Sequence, residues 1–64
     1  MIITYACAVI DRRTHRELTS YEVEIDSKYQ YEAHARLAAA SKFRKATPGA
    51  QEADWFIRSS RKLK

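Results

Sequence analysis

The chain is short of the residues that build special sites. Among its 64 residues there is one glycine, one proline and one cysteine. The lone Gly49 rules out a glycine-rich loop that cradles phosphates, because such a loop needs several side-chain-free residues to bring backbone N–H groups to the ligand. The lone Cys7 rules out an intramolecular disulfide and any zinc cluster built on thiolates, and it points to a reducing, cytoplasmic setting. No apolar run approaches the length that spans a bilayer, so no membrane contact is expected. Met1-Ile2-Ile3 leads straight into strand-like sequence without a basic leader, which argues against a signal peptide.

What is present suits one small folded unit. Apolar residues make up 45% of the chain and charged residues 31%, with both signs mixed, a balance that favours folding over disorder. A chain this short hides a modest share of its surface, so its core must be lightly built and continuous. The net charge of +4 is unevenly spread. Residues 1–32 hold four Lys/Arg and six Asp/Glu, whereas residues 33–64 hold eight and two. The second half is the cationic one, and a cationic surface speeds encounter with phosphates or acidic proteins.

Hydrophobic periodicity predicts the elements. Residues 2–11 are β-branched and aromatic, with Ile3, Tyr5, Cys7 and Val9 on one side and Ile2, Thr4, Ala6, Ala8 and Ile10 on the other. Both sides are apolar or nearly so, which suits a central strand. Residues 18–26 alternate cleanly, with Thr19, Tyr21, Val23 and Ile25 facing a core and Ser20, Glu22, Glu24 and Asp26 facing water. The polar link between them predicts a hairpin with a loop of several residues, since it contains no Asn-Gly or Gly-Gly pair.

A helix is expected from Lys28 to Lys45. Ser27 and Gln30 have the spacing of a capping box, alanine is abundant, and Tyr29, Ala33, Leu37, Ala40 and Phe43 form a stripe. Lys42, Arg44 and Lys45 favour the negative end of its dipole, and Thr47-Pro48-Gly49 ends it. Residues 53–59 read as a strand with Trp55 and Ile57 inward, with a short helical turn at 49–52 before it. A second helix with Thr47 as N-cap and Pro48 in its first turn is the alternative. The expected fold is α+β, a ββαβ domain over residues 1–60 with sheet order 2-1-3, one helix on one face, and a basic tail at 61–64. A single helix covers one sheet face, which leaves Ile2, Ala6, Ala8, Ile10 and Phe56 to line an open one. An uncovered apolar face suggests a dimer or a docking surface.

No catalytic constellation emerges. Cys7 lies mid-strand facing the core, where a thiol is inert. His15 falls in the hairpin loop and His34 on the outer helix face, so no nucleophile, base and orienting group converge. The carboxylates Glu22, Glu24 and Asp26 read as a solvated strand face. Two histidines on different elements give no metal-ligand spacing, and neither cofactor nor metal is expected. The candidate contact residues are therefore on the surface. Arg12, Arg13, His15 and Arg16 form a basic hairpin tip able to grip phosphates or carboxylates. Arg58, Arg61, Lys62 and Lys64 form a basic C-terminal group. Tyr31, His34, Ala35, Ala38, Lys42 and Lys45 form an outer helix face, with Tyr31 as an anchor of the type interfaces favour.

The hairpin, the Asp/Ser-capped helix with its Tyr31-Glu32-Ala33 step and the closing strand resemble a group of very small phage and mobile-element proteins over residues 2–60. The group includes phage inhibitors of bacterial RNA polymerase and anti-CRISPR proteins. The resemblance is architectural, and it implies a protein that occludes a surface on a host complex rather than one that performs chemistry. The expected function is thus non-enzymatic, with the chain docking on and modulating a larger host protein or nucleoprotein complex. The alternative is a direct nucleic-acid-binding module, dimeric through the open sheet face.

Overall fold

The computed structural model describes residues 1–62. Two ten-residue strands, β1 (Ile2–Asp11) and β2 (Glu17–Asp26), form the hairpin. Helix α1 (Glu32–Ala46) follows, then a 3-10 turn at Glu52–Asp54 and β3 (Trp55–Arg61). The strands form one antiparallel sheet in the order β2-β1-β3, with α1 packed on one face. This is the expected ββαβ arrangement, and residues 55–61 are a strand rather than a second helix. Thr47 ends α1 by donating its N–H to the Phe43 carbonyl at 2.8 Å.

The core follows the strand alternation. Ile3, Tyr5, Cys7 and Val9 pair with Ile25, Val23, Tyr21 and Thr19, and all eight lie on the helix side. One group of packed residues joins Cys7, Val23 and Ile25 to Ala35 and Ala39. A second joins Val9 and Trp55 to Ala40 and Phe43, with the Phe43 and Trp55 rings edge to face at 4.9 Å. A β-bulge between Val9 and Ile10 moves the pairing from Thr19 to Glu17. It leaves Leu18 without a cross-strand partner and about half exposed.

The helix departs from expectation at its start and in its phase. Residues 27–29 form a turn. The Ser27 hydroxyl donates to the Met1 carbonyl, and Gln30 instead serves Asp26, whose N–H it accepts at 3.2 Å. The polar pattern that resembled a capping box therefore closes a turn at the strand end. The helix begins one turn later, at Glu32. Tyr29, Ala33 and Leu37 of the expected stripe are exposed, while Ala35 and Ala38 of the expected outer face turn toward the sheet. Alanine is compatible with either side of a helix, so its abundance blurred the phase. Close approach to a sheet already filled by Tyr21, Val23 and Ile25 selected the smallest side chains for the contact.

Strand β3 lies two residues later than expected, because Ala53 and Asp54 belong to the 3-10 turn, which sits at 52–54 rather than 49–52. Arg61, assigned to the tail, is its last residue, and the next tail residue, Lys62, is tied to β1 by its N–H bond to the Thr4 carbonyl at 2.8 Å. The tail residues Leu63 and Lys64 lie outside the described residues.

Candidate binding surface

The residue types with chemical potential are placed apart. Cys7 is fully buried, its thiol 3.7 Å from the Ala35 carbonyl, and burial pushes its pKa up, partly opposed by the Arg36 charge. A buried neutral thiol of this kind is a poor nucleophile. Close to it, the Ser59 hydroxyl donates to Glu32 at 2.8 Å and accepts from Arg36 at 3.1 Å. This chain of bonds ties the first turns of α1 to β3. The Glu32/Arg36 spacing was legible as an i,i+4 pair, but nothing local announced Ser59 as their partner. Among the described residues, no group of three His, Cys, Asp or Glu side chains is placed to hold a metal ion, and no helix is long and apolar enough to cross a membrane.

The hairpin tip is a built loop. Asp11 Oδ1 accepts the N–H groups of Arg13 and Thr14 at 2.8 and 3.0 Å, and its carbonyl accepts His15 N–H at 2.7 Å. Hydrogen bonds from Thr14 and then Arg13 hold the Asp11 carboxyl below its ordinary pKa. His15 closes the loop in the left-handed region, with φ 62°, a conformation that histidine enters more readily than most residues with side chains.

The tip residues divide into two roles. Arg12 N–H donates to the Asp54 carbonyl at 2.9 Å, and its guanidinium reaches the Trp55 carbonyl at 3.3 Å while lying 5.4 Å from the Phe56 ring centroid. The His15 ring meets Phe56 edge-on at 6.4 Å. Arg12 and His15 therefore clamp the hairpin onto β3 and cover Phe56, which is half-buried. Arg13 and Arg16 are exposed, and among the described residues neither side chain has an acidic partner.

The helix brings further cations to this end. Phe43 packs on Val9 and Trp55, and Trp55 pairs with Asp11, so the last turns of α1 lie at the hairpin end of the sheet. Lys42 and Lys45 are exposed there and make no ion pair among the described residues. Arg44 is bridged to Glu52 at 3.1 Å. The other expected contact residues lie elsewhere. Tyr31 is the helix N-cap residue, and its N–H donates to His34 Nδ1 at 2.8 Å, with the two rings stacked at 6.0 Å. His34 thus fills the role that Glu or Gln plays in a capping box. Arg61 faces the helix side of the sheet opposite Tyr5, while Lys62 bonds to Glu22 across the open side.

The open face is neither flat nor uniformly apolar. Ile2, Ala6, Ala8, Ile10 and Phe56 line it as expected, yet Ile10, paired with Phe56, is only 3% exposed. A shallow depression of about 340 Å³ lies over Ala6 and Ala8, bordered by Glu17, Ser20, Arg58 and Ser60. No protein-family model, curated protein or solved structure matches this chain.

Proposed function

We propose that the chain is a non-enzymatic binding protein that docks on and modulates a larger host nucleoprotein complex, as a phage-encoded inhibitor acting in the cytoplasm. The observation that supports this reading is the gathering of Arg13, Arg16, Lys42 and Lys45 at one end of the molecule, all exposed and without an acidic partner among the described residues. Cations left unpaired on a rigid support steer a protein toward acidic or phosphate-bearing surfaces and add specificity once it docks. The hairpin clamp at Arg12 and the helix terminus at Phe43 supply that support. The buried, unpaired Cys7 fits a reducing compartment.

The test compares the wild type with the Arg13→Ala/Arg16→Ala/Lys45→Ala variant as baits in nuclease-treated bacterial lysate. The reading expects one host complex to be recovered by the wild type and lost with the variant, and equal recovery by both defeats it. The second reading, direct binding of nucleic acid, draws support from Arg58 beside the Arg12–Phe56 pair on the open sheet face. It expects affinity for DNA or RNA that falls log-linearly with rising salt. No measurable binding at low salt sinks it.

A further inference from the structure

The two flanks of the open sheet face carry opposite charges. The pairing register sets residues across β1 in rows, Glu17–Ile10–Phe56, Ser20–Ala8–Arg58, Glu22–Ala6–Ser60 and Glu24–Thr4–Lys62. The β2 flank therefore presents Glu17, Glu22 and Glu24. The β3 flank presents Arg58 and Lys62, with Arg12 held over Phe56. Between them Ala6 and Ala8 make a low floor, so a second sheet can approach to the ~10 Å at which sheets pack.

We propose that two copies of the chain pack through this face about a two-fold axis parallel to β1. Such an axis exchanges the flanks and keeps the ends together. Glu17 of one copy then lies against Arg12 of the other, Glu24 against Lys62, and Glu22 near Arg58, each contact made twice. A two-fold axis running across the strands would set acid on acid and base on base, so charge alone selects the first geometry. The Glu22–Lys62 pair within each chain already shows attraction between the flanks. Both of its side chains are more than half exposed, and a pair of that kind contributes little, so it yields to pairing between copies.

Size bounds the strength. Ten residues at ~3.3 Å and three strands at ~4.8 Å give a face of roughly 450 Å² per copy, about 900 Å² in all, below the ~1,200 Å² of standard stable interfaces. The dimer is therefore weak and salt-sensitive. It brings both hairpin ends to the same side and so doubles their cations. The dimer does not rest on the function proposed above and is tested without any other partner.

Sedimentation equilibrium of the full chain from ~10 µM to ~1 mM reads the proposal directly. At low salt the mass rises from one chain to two, and ~0.5 M salt weakens the association about tenfold. Glu24→Lys and Lys62→Glu each weaken it about tenfold, and the two together restore it. Both positions are exposed, and circular dichroism verifies that the variants fold. A chain that stays monomeric at ~1 mM in low salt overturns the dimer, as does a dimer indifferent to both single reversals. The axis is tested with Ile2→Cys and a bismaleimide spanning ~10 Å. The parallel axis sets residue 2 against its own counterpart and gives a cross-linked dimer, whereas the crosswise axis sets it against the Ile10 end. Absence of the cross-link under dimerising conditions overturns the proposed geometry. Cys7 is buried and takes no part in the reaction.

Discussion

The two faces of β1 come from one alternating run of ten residues and end in different states. On the helix side Cys7 and Val9 are fully buried, and Ile3 and Tyr5 pack against the core. On the other side Ala6 and Ala8 remain partly exposed, and Ile10 is buried beside its partner Phe56, which Arg12 and His15 cover. The difference lies in what each face meets. The first meets a helix that approaches closely through alanines, and the second meets two side chains, Arg12 and His15, at one end. A single helix can complete one core, and the rest of the sheet is left with a charged, shallow surface.

The largest break in this contrast comes from Trp55. Truncating it to Ala removes a core aromatic and its Phe43 contact, an expected loss of about 3–5 kcal/mol. That is enough to unfold much of so small a domain, and urea denaturation followed by circular dichroism measures it. Trp55→Phe is expected to cost only about 1 kcal/mol. The indole Nε1 is buried without a hydrogen-bond partner among the described residues, so losing it offsets part of the lost packing.

The next comparison uses neighbours on opposite faces. Val9→Ala should cost about 2 kcal/mol in chemical denaturation, because its side chain is fully enclosed. Ala8→Val, measured in dilute solution, should change stability by less than about 0.5 kcal/mol. Equal costs at the two positions would break the assignment of faces.

Smaller effects sharpen the ends of the elements. His34→Ala removes the acceptor for Tyr31 N–H and should cost about 1 kcal/mol, whereas His34→Glu should retain most of that stability. Thermal melts of both variants read the difference. The smallest effect is set by pH. The Asp11 carboxyl titrates below its ordinary value of 3.8 in the folded chain. The folded state therefore gains from it above pH 3.8, and the gain is lost as pH falls through the lowered folded value. Asp11→Asn should flatten that part of an acid-unfolding profile. An unchanged profile would mean that the Thr14 and Arg13 N–H groups do not act on the carboxylate in solution.

Much of this architecture was legible locally, and where it was not, the cause can be named. Both hairpin strands and their faces follow from side-chain alternation, whereas the closing strand rests on the strand propensity of Trp55-Phe56-Ile57, which leaves a second helix as the alternative. The helix starts later than the polar pattern predicts because Ser27 and Gln30 satisfy the end of β2, and a polar residue that can cap a helix can also close a turn. The helix phase is not legible locally because Ala33, Ala35, Ala38, Ala39 and Ala40 surround the axis and mark no single side. Among the candidate contact residues, charge identified Arg13, Arg16, Lys42 and Lys45. It could not separate them from Arg12, which is committed to Trp55 and Phe56, or from Arg61, which faces the helix side.

The number of elements, the two faces of each hairpin strand and the excess of positive charge in the second half are all legible in the chain without its fold. Those properties are written in spacing and composition, which act over a few residues. Tertiary structure alone decided which cations are free and which are clamped, which alanines touch the sheet, and that acidic and basic rows flank one open face. Each of these depends on the register of β1 against β2 and β3, a pairing between residues as many as 56 positions apart, such as Tyr5 and Arg61. Local propensity carries no information over that distance, and packing does.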